Sequence, residues 1–258
     1  METKEQAVIR LLNEYMDDNG FITLKHKSQS NPKELQFDSE NPHLFTGEGS
    51  ILLKLIDGVS FRYRRMVERG ITNTKKDYAL WERQPGDTTR DDSHSLSLDE
   101  HLGLCFTSIV LEMGIPQELC DYGSKHNWAF IEENPGTDPY EDIKKYGKRI
   151  RQPKDRFFMK VCAGIIPKWY EILDFGLSAV LTCRKPHDVT SGKVMKWFAF
   201  QALSMAGYDN WFVNLCKKYY NYKCTKMYGT EFYIEDLIAI YFQDKEHPFH
   251  VLCKELSL

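Results

Sequence analysis

The residues capable of chemistry are concentrated in one stretch, Trp81 to Met113, where acids and histidines surround the expected start of a helix. Carboxylates beside an imidazole can act as a general acid and a general base, because local environment can set their pKa values on opposite sides of neutral pH. The same groups are oxygen and imidazole ligands for metal ions. The candidate residues are Asp91, Asp92, His94, Asp99, Glu100 and His101.

A purely structural interpretation of this stretch stays open. Ser97-Leu98-Asp99-Glu100 has the S-x-x-E form of a helix capping box, and acids in a first turn interact favourably with the helix dipole. The stretch contains neither H-x-x-x-H nor the spacing of a calcium loop, so we predict no metal and no cofactor. It is therefore either a site or a helix-capping loop.

The elements around the stretch are predicted from its turn and apolar residues. Pro85-Gly86-Asp87 is typical of a turn. After the capping box, apolar residues recur at helical spacing as far as Met113, and Gly114 is a favourable C-terminal stop. The sequence therefore predicts a buried helix whose first turn presents Asp99 and Glu100.

Composition excludes several classes of protein. Of the 258 residues, 42% are apolar and 13% aromatic, which predicts a packed globule rather than a disordered chain. No apolar run reaches the length of a membrane span, and the acidic, amphipathic N-terminus lacks the features of a signal peptide, so we expect synthesis and retention in the cytoplasm. The net charge of −3 gives no overall field that would attract nucleic acid.

The cysteines favour a reducing compartment. Their number is odd, and no C-x-x-C spacing occurs among Cys105, Cys120, Cys162, Cys183, Cys216, Cys224 and Cys253. We predict that they behave as small apolar side chains rather than as disulfides.

Helical spacing recurs along most of the chain and predicts the fold class. We expect a mainly α, single globular multi-helix domain over residues 1–258, with roughly eight to ten helices and long polar loops. The exception is a short β-hairpin or strand near residues 21–24, followed by a polar surface loop at 25–43. Residues 132–155 are rich in proline, glycine and charge, which predicts an exposed loop and allows a subdivision into 1–131 and 156–258.

A set of short motifs occurs in a fixed order along the chain: Asn41-Pro42, Leu44-Phe45-Thr46-Gly47-Glu48, Arg83-x-Pro85-Gly86-Asp87, Ser97-x-Asp99-Glu100-x-x-Gly103, Trp128, Arg149-Ile150-Arg151-x-Pro153-x-Asp155 and His247-Pro248. Together these motifs resemble a class of helical proteins encoded by tailed bacteriophages for which no activity is assigned. Ser97-Leu98-Asp99-Glu100 stands where that class is expected to carry Ser-(Arg/His)-Asp-(Asn/Gln/Asp). The resemblance implies a phage context, including a place in the virion, and no mechanism.

Three hypotheses of function follow. The first is a structural or interaction protein, such as a virion or tail-associated component that binds other protein subunits, because the chain lacks the known catalytic signatures. The second is a glycan hydrolase on a toroid-like helical scaffold, in which Asp91 or Asp92 pairs with Asp99 or Glu100 across about 5 to 10 Å. The third is a nucleic-acid binder that uses the basic clusters Arg62–Arg69 and Lys144–Lys154. The first hypothesis is preferred, so the chain is expected not to be an enzyme.

Overall fold

The fold is mainly α-helical, as the sequence predicts. A computed structural model describes residues 2–22, 24–27, 35–38, 42–56, 58–82, 96, 98–130, 151–184, 190–228 and 247–254. The first helix continues into a π-helical turn at Leu11–Tyr15. The helices are α1 (Lys4–Arg10), α2 (Pro42–Ile56), α3 (Phe61–Thr74), α4 (Leu98–Leu111), α5 (Ile115–Lys125), α6 (Pro153–Cys162), α7 (Trp169–Arg184), α8 (Thr190–Met205), α9 (Trp211–Tyr228) and α10 (Pro248–Lys254).

Short strands pair in two antiparallel ladders. β1 (Leu24–Lys27) pairs with β2 (Leu35–Asp38), and β3 (Lys75–Asp77) pairs with β4 (Leu80–Trp81). The first ladder lies largely inside the stretch that the sequence assigned to a polar loop at 25–43. That assignment overlooked the alternation of apolar and polar residues in Leu35-Gln36-Phe37-Asp38, which is typical of a strand.

Helix α2 begins earlier than the apolar pattern suggests. Its first residue is Pro42, whose fixed φ suits the first turn of a helix. The side chains from Pro42 to Leu53 are all buried, whereas Leu55 is 37% exposed. The first half of α2 is therefore surrounded by protein, and its charged and polar residues lie in the interior.

Two glycines allow α2 and α4 to touch through their backbones. A Cβ atom on Gly103 would lie 2.2 Å from the carbonyl oxygen of His43, and one on Gly47 would lie 2.4 Å from the carbonyl oxygen of Gly103. Distances this short are not compatible with a side chain at either position. The crossing places the first turns of both helices side by side.

A single cluster of buried apolar residues extends across both sides of residues 132–155. The ring of Phe106 on α4 contacts Phe158 of α6 at 5.5 Å and Phe198 of α8 at 6.3 Å between centroids. The subdivision into 1–131 and 156–258 stays a prediction. Among the described residues, no helix has the length and apolar character needed to cross a membrane.

Candidate functional sites

A group of buried polar side chains surrounds the α2–α4 crossing, and we call it the polar centre. Its members come from the start of α2, the residue after β4, the first turn of α4 and the residues before α6. Each is at most 3% exposed, although charged groups are rarely buried unless they are paired. The polar centre consists of His43, Glu48, Glu82, Glu100, His101 and Arg151.

Glu100 caps a helix other than its own. Its Oε2 atom accepts a hydrogen bond of 3.0 Å from the backbone N–H of His43, in the first turn of α2. The first backbone N–H groups of a helix lack partners within the helix, and a carboxylate also interacts favourably with the dipole there. The Nε2 atom of His43 lies 2.8 Å from the carbonyl oxygen of Glu82, so the residue that follows β4 also contacts the first turn of α2.

His101 and Arg151 join α4 to the start of α6. The Nε atom of Arg151 donates to Nδ1 of His101 at 2.9 Å, and one terminal nitrogen of Arg151 donates to the carbonyl oxygen of Leu96 at 2.9 Å. Burial, together with the charge of Arg151, lowers the pKa of His101 well below its usual value. The imidazole is therefore neutral, and its Nδ1 atom is an acceptor for the guanidinium.

Glu48 is the residue whose role the packing leaves unexplained. It is 0% exposed, and neither carboxylate oxygen has a hydrogen-bond partner among the described residues. Burial and the negative charge of Asp99 on α4 raise the pKa of Glu48 well above its usual value. A buried polar group without a partner is costly, and each instance in a folded protein requires an explanation.

The structure describes only some of the residues of the predicted site. Asp91, Asp92, His94 and Ser97 lie outside the described residues. Glu100 and His101 both belong to the polar centre, and Asp99 is half-buried beside it. Within the described ranges, no group of three or more His, Cys, Asp and Glu side chains could hold a metal ion.

Four members of the polar centre were not predicted as site residues: His43, Glu48, Glu82 and Arg151. Glu48 carried a usable signal, because it is an acid between two glycines, Gly47 and Gly49, in an otherwise apolar segment. Long-range partners gave no such signal: His43 and Glu100 are 57 residues apart in the chain, and His101 and Arg151 are 50 apart.

The cysteines whose side chains the structure describes form no disulfide, and burial lowers the reactivity of two of them. Burial raises the pKa of Cys120 to about 12, and it also raises the pKa of Cys162, which hydrogen-bonds with Cys105. A thiol acts as a nucleophile only as the thiolate, so these groups behave as small apolar side chains.

A second feature lies on the outside of α7 and α9, and we call it the apolar face. On α7 the exposed apolar residues recur every fourth position, and Trp169, its first residue, is 73% exposed. On α9 Trp211 is 76% exposed. The two helices pack closely at Gly176, where a Cβ atom would lie 2.5 Å from the ring of Phe212, so both stripes flank one seam. The face comprises Trp169, Leu173, Leu177, Leu181, Trp211, Leu215 and Tyr222.

The charges on and beside the apolar face are mainly positive. Lys168 and Lys218 are exposed there, and no described acid forms an ion pair with either ammonium group. Three nearby acids have other partners: Glu171 accepts two hydrogen bonds from Lys160, Asp174 accepts one from the backbone N–H of Lys154, and Asp209, two residues before Trp211, accepts one from the side-chain amide of Asn214. The face therefore combines apolar side chains with uncompensated positive charge.

The basic clusters proposed for nucleic acid are only partly described. On α3, Arg64 pairs with Glu68 at 3.5 Å, and Arg62 donates to Asn13 at 3.2 Å. Residues 144–150 lie outside the described ranges. Nucleic-acid binding stays a prediction, with some of its arginines already bound to neighbouring side chains.

Comparison with known proteins adds no identity. Neither the models of known families, nor the curated proteins, nor the solved structures that were searched contain a match to this chain.

Proposed function

We propose that this protein is an interaction protein that binds another protein subunit through the apolar face. The observation that carries the proposal is the exposure of two tryptophans and several leucines on neighbouring helices. Soluble proteins rarely expose a contiguous apolar patch, and such patches commonly mark interfaces. Tryptophan is also enriched among the residues that contribute most to binding energy.

The phage resemblance directs the choice of partner to be tested. We propose that the partner is a virion protein, with the chain as a built-in or tail-associated component. The test is quantitative mass spectrometry of particles purified from a culture that produces this chain. A fixed copy number per particle is expected, and absence of the chain from the particles would overturn this part of the proposal.

A triple variant tests whether the apolar face makes the contact. Trp169→Ser, Leu177→Ser and Trp211→Ser together should remove the chain from the particles while leaving it folded, since all three side chains are more than half exposed. The matched control is Ile9→Ser with Phe61→Ser, which alters exposed apolar residues on α1 and α3. Equal incorporation of the triple variant and the control would contradict a role for the face.

The half-buried carboxylate of Asp99, in the first turn of α4, favours a second candidate function, acid–base hydrolysis of a glycan. Glycoside cleavage uses one carboxyl group that is protonated and one that is ionised. Glu48 is 0% exposed and cannot contact a sugar. In this proposal Asp92 pairs with Asp99, so that one carboxyl group protonates the leaving oxygen and the other activates the attacking water.

Two conservative variants test this candidate. Asp92→Asn and Asp99→Asn keep the size of each side chain and remove its acid–base capacity. Both should abolish release of reducing sugar ends from a bacterial surface polysaccharide that the parent chain cleaves. If the parent chain releases no reducing ends from a panel of such polysaccharides, or if both variants retain its activity, the hydrolase proposal fails.

A further inference from the structure

We propose that the partner of the apolar face is an amphipathic helix whose apolar stripe is flanked by acidic residues. This inference rests on the proposed function and specifies the chemistry of the partner. It is drawn from the spacing of the exposed residues and from the charges around them.

The spacing of the exposed residues on α7 fits a helical partner. Trp169, Leu173, Leu177 and Leu181 are four residues apart, so they form one line along the helix axis. At 1.5 Å per residue this line is about 18 Å long, the length of a helix of about twelve residues. On α9, Leu215 and Tyr222 continue the apolar surface beyond the seam at Gly176. A helix lying along that seam would contact both stripes, as helices do in apolar grooves.

The charges select an acidic partner over a second copy of this chain. Lys218 lies within the exposed stripe of α9, one turn from Leu215 and Tyr222, and Lys168 directly precedes Trp169. A second copy would bring the same lysines to both sides of the contact, and like charges across an interface disfavour binding. Acidic residues beside the apolar stripe of a partner would instead meet these ammonium groups.

Two synthetic peptides of about eighteen residues provide the probes, because that length covers the face with one turn to spare at each end. Both carry the same Leu and Trp stripe at helical spacing, one flanked by Glu and the other by Lys. Binding to the full chain is measured by fluorescence anisotropy at two salt concentrations. We expect the Glu-flanked peptide to bind at least about tenfold more tightly, and its advantage to shrink as salt rises.

Charge reversal on the protein provides the second measurement. Lys168→Glu with Lys218→Glu should cancel or invert the preference between the two peptides. The control, Lys54→Glu with Lys125→Glu, makes the same change in net charge at exposed positions on α2 and α5 and should leave the preference intact.

The outcomes separate this inference from the proposed function. Equal binding of both peptides, no binding of either, or the same effect from both charge-reversal pairs would overturn the acidic-helix inference. The proposed function is tested by incorporation into particles and by the triple variant of the apolar face. If the chain enters particles through its apolar face but binds both peptides equally well, the proposed function is supported and only the acidic-helix inference is overturned.

Discussion

The polar centre and the apolar face reverse the usual placement of side chains. At the α2–α4 crossing, carboxyl, imidazole and guanidinium groups are almost completely buried. On α7 and α9, tryptophan and leucine side chains are exposed to solvent. Each arrangement is unfavourable on its own, because charged groups lose hydration when buried and apolar groups order water when exposed.

The two regions differ in what offsets that cost. In the polar centre, hydrogen bonds between distant segments compensate most of the buried groups, so its residues stabilise the fold and Glu48 is the exception. On the apolar face no described residue covers the exposed side chains. Variants in the centre should therefore change stability, and variants on the face should change binding.

The largest expected effect is at the glycine contact beneath the polar centre. Gly103→Val should cost more than about 4 kcal/mol of unfolding free energy, because its side chain would overlap the backbone of α2. Circular dichroism and urea unfolding would measure the loss. Gly114→Ala is the control, since a Cβ atom there meets nothing within 4 Å. A Gly103→Val chain as stable as the control would show that the helices do not touch.

Arg151→Met should have the next largest effect. It removes the donors to His101 and Leu96 and leaves both acceptors buried, at an expected cost of about 3 to 5 kcal/mol in urea unfolding. Arg65→Met on α3 is the comparison, because Arg65 is exposed and its change should lie within about 0.5 kcal/mol. Similar losses at the two arginines would remove the distinction between the centre and the surface.

Glu48→Gln should stabilise the protein at neutral and alkaline pH. The folded-state pKa of Glu48 lies above 4.5, so the folded chain holds a proton that the unfolded chain releases as pH rises through that value. The free energy of unfolding of the parent chain therefore decreases as the pH rises above 4.5, because the unfolded chain loses this proton and the folded chain keeps it. The decrease is at most about 1.4 kcal/mol per pH unit. Glutamine mimics the protonated form and does not titrate.

Melting temperatures of the parent chain and Glu48→Gln, measured from about pH 5 to about pH 8, check this prediction. The advantage of the variant should increase with pH, and a constant difference would contradict the raised pKa. His101 contributes the opposite trend in both proteins: its folded-state pKa is lowered, so stability falls as pH drops below 6.5. Because that contribution is shared, it cancels in the difference.

The smallest effect on stability is expected on the apolar face. Trp211→Ser should change the free energy of unfolding by less than about 0.5 kcal/mol, because the side chain is 76% exposed. Binding of an apolar dye such as bis-ANS should fall in the same variant. Trp81→Ser is the contrasting substitution, since Trp81 is 2% exposed and its loss should destabilise the chain strongly.

Local patterns in the sequence predicted the helices well. Helical spacing and the capping residues indicated a mainly α fold, and the capping box between Thr3 and Gln6 is present with both hydrogen bonds. The first turn of α4 was also recognised as a place where acids meet. These features depend on neighbours within a few residues, which a single sequence displays directly.

The polar centre could be predicted only in part, because its partners are distant in the chain. Nothing local indicates that Glu100 binds His43 or that Arg151 binds His101. The apolar face was not predicted, for a related reason. The spacing of Leu173, Leu177 and Leu181 indicates a helix but does not show which side of that helix another element covers, and each is at least 37% exposed.

The capping of α2 by Glu100 has a consequence for the order of folding. The segment that becomes α2 contains Gly47 and Gly49, each of which lowers helix propensity by about 1 kcal/mol relative to alanine. In its first turn, the backbone N–H of His43 also lacks its carboxylate partner until Glu100, 57 residues later in the chain, packs against it. We therefore expect α2 to remain unformed until α4 docks, so that closure of this long loop limits the folding rate. A peptide of residues 42–56 alone should be largely non-helical in water.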